Sequence, residues 1–207
     1  MRPLPRLHAV TDGAVLAADD FGVRAAAIAA AGAGVALHAR DHAAEGAALA
    51  RAAARLVSLA RPPEAAVFVN GRPDVAAAVH AQGVQLASGD LAPVDARRVF
   101  AAGWIGRSVH NADEAARAVE EGADFLIVGN VYETTSHPGR PGVGLELVRR
   151  TAALGRPVIA IGGMDAVRAR EVRAAGAYGV AAITALWWAT DPAAAALALL
   201  APWTEDV

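Results

Sequence analysis

The residue types that could do chemistry fall in short polar clusters, each just after an apolar run. His110, in IGRSVHNADEA (105–115), carries an imidazole, a group suited to taking a proton from a carbon acid and returning it. The same stretch also reads as a helix cap, because Asn111 and Asp113 supply capping groups. Gly162 and Gly163, in IGGM (161–164), let backbone N–H groups approach an anion while a following helix dipole adds its attraction. Thr184 closes AAIT (181–184) after the next run, and with the glycines it predicts a phosphorylated small-molecule ligand. A plain tight turn is the other reading of paired glycines. Arg40 is a candidate clamp for a carboxylate or phosphate, either of which its planar fork binds bidentately. His38, Asn70, Gln85, Ser108 and Thr134 complete a polar set that would line a substrate. His38 lies inside its apolar run and also reads as a satisfied core histidine, and His8 and His80 read as structural.

Other chemistries are excluded by absence. All 19 basic residues are arginine and there is no cysteine, which removes Schiff bases, a P-loop lysine, thiolate nucleophiles and cysteine-ligated metals. A divalent ion on a phosphate needs nearby carboxylates, and only Asp12, Asp90 and Glu133 follow apolar runs. Asp90 is expected to cap the next helix, so neither a metal nor a cofactor is expected. A formal charge of −2 without a clustered basic strip argues against nucleic acid. No uninterrupted apolar stretch approaches membrane length, and a soluble cytoplasmic protein is expected.

These clusters need elements to hold them. Short apolar runs at 7–10, 34–38, 66–69, 84–86, 104–107, 125–128, 158–161 and 179–183 alternate with alanine-rich segments of helical length, such as 113–121 and 165–175. That is the rhythm of a parallel sheet with crossover helices. Eight units in 207 residues predict one domain over 1–207, a small α/β protein with a (β/α)8 (TIM) barrel. Chemistry then belongs at the C-terminal strand ends, where the polar clusters lie. The longest connection, 129–143, is the candidate lid. Trp187, Trp188 and Trp203 read either as the contact surface of a homodimer or, preferably, as packing of the last helix.

LHAVTD (7–12), LHARD (37–41), FVNGRPDVA (68–76), GVQLASG (83–89), IGRSVHNADEA, GADFLIVGNVYETTSHPG (122–139) and PVIAIGGMDAVR (157–168) together resemble the thiamine phosphate synthase/TenI superfamily over nearly the whole chain. The resemblance implies a (β/α)8 barrel acting on thiazole phosphates. Its synthase branch joins a thiazole phosphate to a pyrimidine pyrophosphate with Mg²⁺, whereas its TenI branch aromatises a thiazole carboxylate phosphate tautomer. The synthase pattern has a lysine two residues past its arginine, an Asn-Asp pair after the third strand and a lysine in the TT loop. Here those places resemble His42, Asn70-Gly71 and His137, although Asp90 matches the second metal-binding acid. The expected reading is therefore a metal-free thiazole tautomerase with His110 as acid and base. In it Arg40 and Asn70 hold the carboxylate, and Gly163 and Thr184 anchor the phosphate. A thiamine phosphate synthase and a non-catalytic phosphate-ligand regulator are the alternatives.

Overall fold

The computed structural model describes residues 3–61, 64–134, 139 and 141–204. Its elements run β1 (Leu7–Val10), α1 (Gly13–Ala17), α2 (Phe21–Ala29), β2 (Val35–Ala39), α3 (Gly46–Ala60), β3 (Ala66–Asn70), α4 (Pro73–Ala78), β4 (Gly83–Leu86) and α5 (Pro93–Val99). There follow β5 (Trp104–Val109), α6 (Ala112–Glu120), β6 (Phe125–Val128), α7 (Gly144–Ala152), β7 (Val158–Ile161), α8 (Ala166–Ala174), β8 (Gly179–Ala182), α9 (Thr184–Trp187) and α10 (Pro192–Leu200). Every strand pairs in parallel with its sequence neighbours, and β1 also pairs with β8, Leu7 opposite Val180, so the sheet closes into an eight-stranded barrel. The expected (β/α)8 fold is the observed one.

Two apolar layers hold it. Outward-facing strand residues pack under the helices; α3, for example, buries Leu49, Ala53, Leu56 and Ala60, a stripe at helical spacing. Inside the barrel, Val10, Ala36, Phe68, Phe125, Ile127, Ile159 and Ala181 form a separate core. Strands covered on both faces read as continuous apolar runs, as these do.

Start signals sit where the capping chemistry demands. Asp165 begins α8 by accepting from the Val167 and Arg168 N–H groups at 2.9 Å, and Asp191 begins α10 with Pro192 at its first position. Two of the three C-terminal tryptophans pack as preferred. Trp187 is buried and stacks on Phe21 at 5.6 Å, and Trp203 Nε1 donates to the Ala177 carbonyl. Trp188 is exposed. Among the described residues no helix is long and apolar enough to cross a membrane.

Candidate functional site at the C-terminal strand ends

The polar residues predicted after β2 to β5 converge on one end of the barrel. Asn70 and Gln85 stand opposite each other in the β3–β4 register, and the Gly71 N–H donates to the Gln85 carbonyl at 2.8 Å. Gln85 Nε2 donates to Ser108 Oγ at 3.0 Å, linking β4 to β5. Buried Gln85 Oε1 has no hydrogen-bond partner among the described residues and lies over the bare Cα of Gly106. His38 Nδ1 lies 2.9 Å from Asn70 Oδ1, and His38 is fully buried. The core-histidine and site readings of His38 therefore meet: it is satisfied, and it touches a residue of the rim.

Arg40 is positioned by Thr11. The Thr11 hydroxyl donates to the His38 carbonyl at 2.8 Å and accepts from the Arg40 N–H at 2.9 Å, tying the ends of β1 and β2 together. Burial lowers the Arg40 pKa while Asp12 and Asp41 raise it, and the guanidinium remains a cation. Its Nη2 meets the imidazole of His42. Arg40 is thus the partly buried cation at this strand end, and the place where the synthase pattern has its lysine is taken by the imidazole that bonds it.

Asp90 does not cap α5, whose N-cap is Ala92 without a side-chain bond. Instead its Oδ2 accepts from the Ala87 N–H at 2.6 Å and closes the β4–α5 turn. The carboxylate faces Gly71, where a Cβ would stand 3.3 Å from Asp90 Oδ1. Among the described residues there is no cluster of three His, Asp or Glu that would cage a metal. One carboxylate beside a diphosphate is nevertheless the minimum donor set that Mg²⁺ accepts, since substrate phosphates and water fill the remaining positions. Asp90 fits that role.

Gly162 and Gly163 follow β7 with φ of 102° and 65°, in the left-handed region that favours glycine. A Cβ on either would strike residues 130–133: 2.5 Å from Asn130 Cβ for Gly162, and 2.7 Å from the Glu133 carbonyl for Gly163. The pair thus lets residues 130–133 lie against the end of β7, where the Val131 N–H donates to the Ile161 carbonyl at 2.8 Å. Arg168 Nη1 donates to the Gly163 carbonyl at 2.6 Å. Because Asp165 takes the first N–H groups of α8, a phosphate here would rest on the Gly162-Gly163 turn and on exposed Thr184 at the start of α9. Thr134 is half-buried and is the last described residue before 135–138. His137, and the central part of the candidate lid with it, lie outside the described residues.

His110 takes part in the cap of α6. Its backbone N–H and its Nδ1 both bond Glu114 Oε2, at 2.8 and 3.0 Å, while Asn111 Oδ1 accepts from the Glu114 N–H at 2.9 Å. This is a reciprocal cap in which residue three of the helix reaches back. Desolvation works to raise the Glu114 carboxyl, but the hydrogen bonds from His110 and Asn111 outweigh it and hold it below its usual range. Asn111→Ala should cost about 1 kcal/mol in urea unfolding; no change would show that α6 does not depend on this cap.

One functional candidate was missed. His8, read as structural, bonds His38 inside the barrel, Nδ1 to Nε2 at 2.7 Å. The signal was present in its spacing, since His8 and Val10 share the inward face of β1, but its partner lies 30 residues away. A surface hollow lined by Arg97, Gly103 and Asp124 lies at the N-terminal end of β5, where the Arg97–Asp124 ion pair spans it. It is remote from these groups.

Known proteins resemble this chain over most of its length. A family model described as thiamine monophosphate synthase matches residues 7–186. The thiamine-phosphate synthase of Thermus thermophilus is 48% identical over 147 residues, 70% of this chain and 71% of that protein. That of Mycolicibacterium vanbaalenii is 43% identical over 145 residues, 69% of this chain and 66% of that protein. Among solved structures, thiamine phosphate pyrophosphorylase from Pyrococcus furiosus superposes with a TM-score of 0.81 at 32% identity, covering 97% of this chain and 96% of that one. These relatives carry the names of the synthase, and they overturn the expectation of a thiazole tautomerase, an isomerase using His110. The substitutions at 42, 71 and 137 were read as lost machinery, whereas Arg40 and Asp90 keep a cation and an acid at the same strand ends.

Proposed function

We propose, from the premise that this chain belongs to the thiamine monophosphate synthase family and so to the enzymes of thiamine biosynthesis, that it is a thiamine-phosphate synthase. The ring nitrogen of a thiazole phosphate forms a C–N bond to the methylene carbon of a pyrimidine pyrophosphate, whose C–O bond breaks and whose diphosphate leaves with the electron pair. The observation that carries this reading is the 48% identity to a synthase together with a cation and an acid, Arg40 and Asp90, on one rim.

Each group has a task set by its chemistry. Arg40 offers a fixed positive fork to the charge that grows on the departing diphosphate. Asn70, Gln85 and Ser108 present a polar wall against which the pyrimidine lies, and Gly162, Gly163 and Thr184 hold the thiazole phosphate. Mg²⁺, when bound, would neutralise diphosphate charge, with Asp90 as its protein ligand. The phenyl rings of Phe68 and Phe125 floor the barrel beneath this wall and keep water from the rear.

Incubating the purified protein with both substrates and Mg²⁺ tests the proposal: thiamine phosphate and one equivalent of pyrophosphate should appear, and their absence sinks it. Asp90→Asn still accepts from the Ala87 N–H, so the fold should hold, while turnover falls about 10–100-fold and recovers partly as Mg²⁺ is raised. An unaltered Mg²⁺ dependence would remove Asp90 from the site.

A further inference from the structure

A hydrogen-bonded chain runs from the base of the barrel to its mouth. The Pro5 carbonyl oxygen lies 3.1 Å from His8 Nε2, His8 Nδ1 lies 2.7 Å from His38 Nε2, and His38 Nδ1 lies 2.9 Å from the Asn70 amide. Both imidazoles are fully buried among aromatic rings. His38 stacks on Phe68 at 5.1 Å, and His8 meets Phe68 at 5.3 Å and Phe125 at 5.5 Å. Burial is the largest influence on both imidazoles and pushes both pKa values down, that of His38, which also faces the Arg40 cation, to about 4, outweighing the upward pull of the hydrogen bonds to Pro5 and Asn70. Both are therefore neutral at pH 7, with one N–H each.

The direction of the chain follows from its fixed end. A carbonyl only accepts, so His8 carries its proton on Nε2 and its Nδ1 is an acceptor. His38 must then donate from Nε2, which leaves its Nδ1 an acceptor too. At 2.9 Å that atom cannot face the Asn70 oxygen, because two acceptors would meet. A half-turn of the amide exchanges oxygen and nitrogen without moving the heavy atoms and places an N–H there. The Asn70 oxygen then faces away from His38.

We infer that His8 and His38 are positioning residues that fix the Asn70 amide with its carbonyl oxygen toward the mouth of the barrel, so that Asn70 takes a hydrogen-bond donor from the ligand, an amino group on a heteroaromatic ring, and rejects a carboxylate. The class of ligand rests on the synthase reading; the amide's direction rests on the hydrogen bonds alone.

Long-range ¹⁵N–¹H spectra of the labelled full chain at pH 7 read the tautomers directly. His8 and His38 should both be protonated at Nε2 only and stay so to pH 5. A proton on His38 Nδ1, or an imidazolium at pH 7, would overturn the inference whether or not the protein makes thiamine phosphate. In His8→Leu, His38 loses its acceptor and should move its proton to Nδ1, turning the amide over and raising KM for the pyrimidine pyrophosphate about tenfold with a smaller change in kcat. His8→Gln can bond both neighbours and should restore the KM of the original chain. His38 retaining Nε2–H in His8→Leu would show that His8 does not set the direction, and if that variant fails to fold the spectrum of the unsubstituted protein still decides.

Discussion

A Gly106→Ala substitution is expected to destabilise the protein by about 3 kcal/mol and to disable the site together with the fold. Gly106 sits in mid-strand on the inner face of β5, where a Cβ would stand 2.1 Å from Gln85 Oε1 and 2.2 Å from the Phe125 ring. Neither neighbour has room to yield. Phe125 is fully buried and packs edge-on against Phe68 at 5.8 Å, and Gln85 is held by Ser108. Moving Gln85 breaks the polar wall, and moving Phe125 presses the floor into the histidine pair. Gly83 makes the matching vacancy for Phe68, 2.1 Å from the ring, so the barrel interior alternates bare Cα atoms with large rings. Gly89 is the control: it lies in an exposed turn at negative φ with open space around it, so Gly89→Ala should stay within about 0.5 kcal/mol. Equal urea midpoints for the two variants would show that the interior is not packed as tightly as this.

That alternation marks the boundary between what single segments reveal and what closure adds. Each strand could be located from its own apolar run, to within a residue or two, because burial on both faces is a property of the segment. The rim residues Asn70 and Ser108 are legible for the same reason, since they follow those runs directly, and Gln85 is legible as the polar residue inside one. Which residues meet across the barrel depends on the stagger between strands, and no strand carries that information alone. The bond between His8 and His38, the fit of Phe125 over Gly106 and the approach of Asp90 to Gly71 are all contacts of this kind. The branch of the family was misjudged through the same gap. Residue types at 42 and 71, taken singly, do not reveal that Thr11 and the Ala87 turn hold a cation and an acid at the rim.

The buried histidines also predict how acid acts on the whole fold. In the unfolded chain an imidazole protonates near pH 6.5, whereas His38 in the barrel holds off protonation until about pH 4 and His8 is shifted in the same direction. Between those values the unfolded state binds more protons than the folded one, so stability must fall as pH falls. Above pH 7 both states are neutral at these sites and the contribution is flat. His38 alone removes about 3 kcal/mol across the window, and His8 adds to the slope. Asp74 and Glu114, whose carboxyls are held low by Arg72 and by His110 and Asn111, begin to add a smaller loss only near pH 4, and solvent screening reduces it further. Urea midpoints at pH 7.5, 6.0 and 5.0 separate the two sources, because the carboxyls are silent over that range. A steady decline toward pH 5 is expected, and it should be largely absent in a His8→Gln, His38→Gln double variant. Constant stability from pH 7.5 to 5.0 in the unsubstituted chain would mean that the imidazoles take up protons inside the barrel as readily as in water, which packing between Phe68 and Phe125 forbids.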